Sequence, residues 1–315
     1  MVYLQLLAGL ALLLLGGELL VRGAVAVARR LGVSELMIGL TLVGFGTSTP
    51  ELVACIDAAL AGAPGIALGN VVGSNIANVL LIMGIGALIA PMRTTREAFL
   101  RDGPVLLGAS LLLVAACFLE VIGRAVGAVF LMLLLAYTLY TWHTERIAPN
   151  ASAAMHAAEA EGLGKVPTSL GVGLATALGG LIGVLLGARL LVDSAIELAQ
   201  LWGISDAIIG LTVVAVGTSL PELATTVVAA WRRQADVAFG NIVGSNIFNI
   251  LGILAATALV HPLPVPPEIV RFDIWVMLGV AVFLVGFAIT GWRVVRLEGA
   301  ALLLAYAGYL ALVLA

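Results

Sequence analysis

Gly39–Val53 reads GLTLVGFGTSTPELV and Gly69–Leu80 reads GNVVGSNIANVL, while Gly210–Ala224 reads GLTVVAVGTSLPELA and Gly240–Leu251 reads GNIVGSNIFNIL. The two pairs are one pattern written twice. Counterparts lie 171 residues apart (222 − 51, 241 − 70 and 249 − 78 all give 171), and the register runs from Leu19/Leu190 to Pro91/Pro262 without a gap. Each copy sets one carboxylate, Glu51 or Glu222, with hydroxyls and amides in otherwise apolar sequence. A duplicated polar break of this kind marks an ion or substrate site inside a membrane.

The surrounding composition requires that membrane. The chain is 62% hydrophobic and 10% charged, with a mean hydropathy of +1.17. A soluble chain of 315 residues has too few charges here to cover its apolar surface. Apolar runs such as Leu106–Phe118, Val126–Tyr140 and Leu302–Ala315 belong to helices that cross a bilayer, each needing roughly 20 apolar residues. Met1 is followed by apolar sequence with no basic n-region, so insertion through the first helix is expected rather than a cleaved leader. Cys55 and Cys117 both fall inside expected spans, which argues against a disulfide framework or a cysteine metal site. No basic surface for nucleic acid is present, and no obligatory protein partner is evident.

The expected fold is an all-α polytopic membrane protein of ten transmembrane helices arranged as two inverted five-helix repeats. The spans fall at about 2–28, 34–61, 66–90, 103–121 and 125–142, then at about 169–199, 205–231, 237–261, 272–290 and 294–314. Residues 1–142 form the first repeat, 143–168 a polar linker with at most a short surface helix, and 169–315 the second repeat. Five helices per repeat make the second copy enter the membrane from the opposite side. With the N-terminus outside, the inner loops hold Arg29, Arg30, Arg93, Arg96, Arg101, Arg146, Lys165, Arg232, Arg233, Arg293 and Arg296. The outer loops hold only Arg124 and Arg271. The positive-inside rule then puts both termini outside and the linker in the cytoplasm of a cell whose inner membrane carries the protein.

In Thr47-Ser48-Thr49-Pro50-Glu51 a proline inside a span frees backbone carbonyls, and such backbone is tolerated at membrane depth only where protein or a wet cavity satisfies it. The carbonyls of Gly44 and Thr47, the hydroxyls of Thr47 and Ser48, and Glu51 are therefore candidate hard oxygen ligands. Thr218, Ser219 and Glu222 repeat the arrangement. In the next helix Ser74 and Asn78, or Ser245 and Asn249, are four apart and share a face. An all-oxygen set of two carboxylates without His or Cys suits Ca²⁺, Na⁺ or Mg²⁺ and argues against zinc or copper. The bland alternative is packing: Ser, Asn and Gly in spanning helices often serve only interhelical contact, and Ser74, Asn75, Ser245 and Asn246 are each open to it. It is weaker for Glu51 and Glu222, since a carboxylate at the bilayer centre costs ~2.5–3.5 kcal/mol and here occurs twice in register.

GTSTPE/GTSLPE with GNVVGSNIAN/GNIVGSNIFN resembles the α-repeats of the sodium/calcium exchangers of the calcium/cation antiporter superfamily, in their minimal prokaryotic form. The resemblance covers essentially the whole chain. It implies a secondary-active antiporter, not an enzyme, that exchanges Na⁺ for Ca²⁺ by alternating access, with no cofactor beyond the transported ions. Glu51 and Glu222 become central ligands shared by Ca²⁺ and Na⁺, with carbonyls of Thr47 and Thr218 at the calcium site and their hydroxyls also turned to it. Ser74 joins Glu222, Thr47 and the Gly44 carbonyl at an inner sodium site, and Ser245 joins Glu51, Thr218 and the Ala215 carbonyl at an outer one. Asn78 and Asn249 complete the centre. Some prokaryotic members carry Asp at the position of Asn249, so a possible third carboxylate is missing here.

The nearest alternative is an H⁺/Ca²⁺ antiporter, in which a buried carboxylate trades a proton for a cation; Ser and Asn where proton-coupled relatives place an extra acidic residue favour sodium. A channel fits an inverted repeat less well, and a hydrolase built on Ser48 or Ser219 lacks a His or Lys base inside the spans. Outside the motifs, Glu18/Arg22 and Arg189/Asp193 are spaced as i,i+4 ion pairs, which lowers the cost of charge near the membrane and suggests a part in gating. Asp57 lies toward the outer end of its helix and has Val228 as counterpart. Trp142, Trp202, Trp231, Trp275 and Trp292 sit at expected helix ends, as interfacial anchors do.

Overall fold

The computed structural model describes residues 1–31, 45–93, 96–147, 169–231 and 235–314. In chain order its helices are α1 (Val2–Arg30), α2 (Thr49–Leu60), α3 (Pro64–Ile89), α4 (Arg96–Cys117), α5 (Arg124–Ile147), α6 (Leu170–Trp202), α7 (Asp206–Thr218), α8 (Leu220–Trp231), α9 (Ala238–Val260), α10 (Ile274–Gly291) and α11 (Arg296–Val313). Eight of the described helices are long and apolar enough to cross a membrane, and nine if α7 and α8 form one span. That pair is bent by 44° at Ser219, just before Pro221, whose missing N–H and ring break the helical ladder. The second expected span is described only from residue 45, and the linker is described only as far as the end of α5 at Ile147.

Helix ends follow local chemistry. α1 closes on Arg29 and Arg30, cations at the negative end of the helix dipole. α6 opens on Ser169, whose hydroxyl accepts the Val172 N–H at 3.2 Å, and stops at Gly203, where φ of +66° excludes most side chains. Pro64 and Pro50 occupy first turns, where a missing N–H costs nothing. α4 begins at Arg96, several residues before the expected boundary. Its charged turn stays helical because Asp102 is held by Arg101 at 2.6 Å and accepts the Tyr137 hydroxyl of α5 at 2.8 Å. On the other half, Asp273 accepts the Tyr309 hydroxyl at 2.8 Å, so both halves pin their last two helices through an aspartate–tyrosine bond.

α3 and α9 form the core: 78% and 83% of their spans are buried, against 28% or less for α1, α5, α6 and α11. The outer helices show leucines such as Leu7, Leu15, Leu178 and Leu185 outward, as a lipid-facing surface requires. Each central helix is interrupted by a π-helical turn, Asn78–Ile82 and Asn249–Leu254, starting at in-register asparagines; such turns concentrate at functional sites. The short strands β1 (Met92–Arg93), β2 (Val121–Ile122), β3 (Leu263–Pro264) and β4 (Arg293–Val294) pair crosswise, β1 with β4 and β2 with β3, both antiparallel. Each pairing joins one half of the chain to the other.

α1 and α6 lie antiparallel, backbone against backbone. Gly9, Gly16 and Gly23 of α1 face Gly187, Gly180 and Gly173 of α6, a spacing of seven residues on both helices. This close approach supplies the dispersion contact that stands in for the hydrophobic effect within lipid.

Candidate functional site

The breaks before α2 and α8 face each other across the centre of the molecule. Ser48 and Ser219 precede the two helices, which places Glu51 and Glu222 in the first turns, where the helix dipole favours negative charge. Both carboxylates are buried. They are close enough to act electrostatically on one another. Each is hydrogen-bonded by the serine of the opposite half: Ser48 Oγ donates to Glu222 Oε1 at 2.8 Å, and Ser219 Oγ donates to Glu51 Oε1 at 3.1 Å. The remaining oxygens, Glu51 Oε2 and Glu222 Oε2, are buried with no hydrogen-bond partner among the described residues. Buried carboxylate oxygen without a partner is costly unless a cation satisfies it.

α3 and α9 supply the next shell. On α3, Asn78 Nδ2 donates to Asn246 Oδ1 at 2.9 Å, and Asn246 Nδ2 donates to the Asn75 carbonyl at 3.3 Å, which ties the two central helices together beside the carboxylates. The Asn246 side chain thus serves interhelical packing, whereas that of Asn75 donates to the Val71 carbonyl of its own helix at 2.7 Å. Asn78 Oδ1 and both polar side-chain atoms of Asn249 are buried and, among the described residues, unpartnered. The Thr47 and Ser245 hydroxyls lie beside the Glu222 carboxylate but in no regular hydrogen bond. Ser74 donates instead to Asn70 Oδ1 at 3.2 Å. The resemblance grouped Ser74 with Glu222 and Ser245 with Glu51, whereas here Ser245 sits by Glu222. Thr218 Oγ1 lies 2.9 Å from the Val214 carbonyl, 3.1 Å from Asn70 Oδ1 and 3.5 Å from the Ala215 carbonyl. Gly44 lies outside the described residues.

Close packing makes these distances possible. A Cβ on Gly73 would fall 2.4 Å from the Leu211 carbonyl oxygen, and one on Gly69 would fall 2.5 Å from that of Ala207. Only glycine lets α3 approach α7 closely enough for Asn70 to reach Thr218 across the halves. Phe45 stacks on Phe248 with ring centroids 4.3 Å apart, joining the turn before α2 to α9. Among the described residues no group of three or more His, Cys, Asp or Glu side chains is placed to hold a metal. A cation at this centre would rest on two carboxylates and neutral oxygens, a hard set suited to Na⁺ or Ca²⁺.

The charged pairs outside the centre are also placed. Arg22 is hydrogen-bonded to Glu18 within α1, and Arg189 lies 4.0 Å from Asp193 within α6. Asp57 is half-buried and interacts with Asp193 and Arg189. Asn70 had no role assigned from the sequence, although it stands in register with Asn241 inside the repeated motif.

The comparisons with known proteins agree with one another. The family model described as sodium/calcium exchanger protein matches residues 1–143 and 172–315. The chain is 35% identical to sodium/calcium exchanger MaX1 of Methanosarcina acetivorans over 339 residues, covering 98% of this chain and 97% of that protein. It is 34% identical to inner membrane protein YrbG of Escherichia coli over 290 residues, covering 91% and 88% of the two chains. The solved structure of the sodium-calcium exchanger NCX_Mj soaked with 2.5 mM Na⁺ and 0.1 mM Ca²⁺ matches with a TM-score of 0.63 at 33% identity, over 98% of this chain and 97% of that one.

Proposed function

The chain belongs to the sodium/calcium exchanger family, and on that premise we propose that it is a secondary-active antiporter exchanging Na⁺ for Ca²⁺ across a cell inner membrane by alternating access. The observation that carries the proposal is the pair Glu51 and Glu222. Both are buried, each is bonded by the serine of the opposite half, and each keeps one carboxylate oxygen without a partner. Two such carboxylates neutralise one divalent ion or two monovalent ions. That equivalence is what competition between Ca²⁺ and Na⁺ for one centre requires.

The ligand set comprises Glu51 and Glu222, Thr47 and Thr218, Ser48 and Ser219, Ser74 and Ser245, Asn78 and Asn249, and the carbonyls of Gly44 and Ala215. Unpartnered oxygens on Thr47, Ser245, Asn78 and Asn249 support it. Residues 1–142 and 169–315 act as two inverted five-helix repeats of ten spans in all, with residues 34–61 forming one of them. The crosswise strand pairs and in-register π turns support this division. Both termini lie outside and residues 143–168 in the cytoplasm, by the distribution of Lys and Arg.

The test uses purified protein in Na⁺-loaded liposomes diluted into Na⁺-free buffer containing ⁴⁵Ca²⁺. Uptake that depends on internal Na⁺ is the expected result. Uptake driven only by an acid interior would assign the protein to proton coupling, and no uptake under either gradient would reject exchange.

A further inference from the structure

Four in-register pairs of polar residues lie around the carboxylates: Thr47/Thr218, Cys55/Thr226, Asn70/Asn241 and Ser74/Ser245. One member of each pair is hydrogen-bonded and the other is not. Ser74 and Thr218 both reach Asn70 Oδ1, at 3.2 and 3.1 Å. Asn70 Nδ2 donates to Cys55 Sγ at 3.2 Å, and the Cys55 thiol donates to the Ala67 carbonyl at 3.5 Å. In the opposite set, Thr47 Oγ1, Ser245 Oγ, Thr226 Oγ1 and Asn241 Nδ2 are buried with no partner among the described residues. In the first set the Asn70 carboxamide accepts the Ser74 hydroxyl and lies within reach of the Thr218 hydroxyl, whose nearer acceptor is the Val214 carbonyl at 2.9 Å.

We propose that Asn70 is a positioning residue for sodium: its carboxamide oxygen takes the hydroxyl proton of Ser74 and shares that of Thr218 with the Val214 carbonyl, turning oxygen lone pairs toward the ion. The proposal rests on the exchanger function above. A hydroxyl has one proton and two lone pairs, so it can ligate a cation only if its proton goes elsewhere. The amide oxygen has two lone pairs, enough for both hydroxyls. Thr218 has a second acceptor in the Val214 carbonyl at 2.9 Å, so Ser74 depends on Asn70 more strongly.

Cys55 fixes which end of the amide faces the hydroxyls. Its own proton points to Ala67, so only sulfur lone pairs meet Asn70, and a flipped amide would set oxygen against them. Asn70 is fully buried and lies in the same tight α3–α7 contact that Gly69 and Gly73 permit. Its hydrogen bonds go to Cys55, Ser74 and Thr218 and to neither carboxylate, so it acts through its neighbours.

The experiment compares Asn70→Leu, which keeps the branching pattern but has no polar atoms, and Asn70→Asp, which keeps the acceptor oxygen. Two quantities are read in liposomes: the half-saturating Na⁺ for ⁴⁵Ca²⁺ uptake, and the half-saturating Ca²⁺ for Ca²⁺/Ca²⁺ exchange without Na⁺. Asn70→Leu is expected to raise half-saturating Na⁺ about tenfold, the scale of one lost buried hydrogen bond. Its Ca²⁺/Ca²⁺ exchange should stay within about twofold of the parent protein, because the resemblance places Ser74 at a sodium site and Thr218 keeps its Val214 acceptor. Asn70→Asp should stay within about threefold of the parent for Na⁺, less than the loss of one hydrogen bond.

Unchanged Na⁺ dependence in Asn70→Leu overturns the proposal, and so does an equal loss in both exchange modes or in both variants. Should Asn70→Leu not fold, Cys55→Ala frees the amide to flip and is expected to raise half-saturating Na⁺ about threefold, part of one hydrogen bond; the parent value there overturns the proposal equally. Absence of Na⁺-driven uptake in the unmodified protein would instead reject the exchanger function, so the two failures are distinct.

Discussion

Two adjacent glycines of α6 provide a paired test of the helix contact that organises the outer layer. A Cβ on Gly180 would lie 2.2 Å from the Leu20 backbone nitrogen and 2.7 Å from the Gly16 carbonyl oxygen, whereas one on Gly179 would meet nothing within 4 Å. In Gly180→Ala the α1 backbone must recede by about 1 Å to regain ordinary contact, which loosens dispersion along the whole seven-residue glycine seam. Overpacking of this kind costs ~1–3 kcal/mol. Replacing an interior helical glycine by alanine returns ~0.5–1 kcal/mol in either variant. Gly180→Ala should therefore be destabilised by about 1–2 kcal/mol net, and Gly179→Ala should be neutral or slightly stabilised. The assay is the monodisperse fraction in detergent after heating, read by size exclusion. A midpoint about 2–6 °C lower for Gly180→Ala, with Gly179→Ala at or above the parent, is expected. Equal midpoints, or the reverse order, would refute the backbone contact.

Removing the Ser48 hydroxyl by Ser48→Ala takes away a 2.8 Å bond to Glu222, and half-saturating Ca²⁺ in ⁴⁵Ca²⁺ uptake should rise about tenfold, since hydrogen bonds to charged groups are worth ~1.5–3 kcal/mol. Ser219→Ala, which loses the longer 3.1 Å bond to Glu51, should show a smaller rise; parent-like titrations for both would remove the cross-half bonds from the account. Tyr309→Phe leaves Asp273 buried without its tyrosine partner and should lower the thermal midpoint by more than Tyr137→Phe, because Asp102 keeps Arg101 at 2.6 Å. Equal losses in the two tyrosine variants would contradict that ranking.

Much of the site was legible because the chain states its motif twice. A carboxylate in an apolar span is suggestive once and a stronger signal when repeated in register, so Glu51, Glu222 and the flanking hydroxyls stand out as candidates without coordinates. What could not be read was which half each serine serves. The bonds from Ser48 to Glu222 and from Ser219 to Glu51 depend on how the two breaks face one another, a tertiary relation with no sequence period. Asn70 was visible in the motif but carried no distinguishing chemistry until Gly69 and Gly73 were seen to bring α3 against α7. The Asp102–Tyr137 and Asp273–Tyr309 bonds were missed because a single tyrosine in an apolar helix gives no signal of its partner. The early start of α4 has the same origin: a charged turn normally marks a span's end, but pairing lets the helix continue through it.

The central claim is that Glu51 and Glu222 form one ion centre built from both halves. Equilibrium ⁴⁵Ca²⁺ binding to the purified protein in detergent, titrated with Na⁺ and repeated for Glu51→Gln and Glu222→Gln, tests it most directly. A single Ca²⁺ per chain, displaced competitively by Na⁺, with binding lost in either variant alone, is expected. Two bound Ca²⁺ per chain, or one variant retaining binding at the parent's affinity, would mean that the carboxylates serve separate sites.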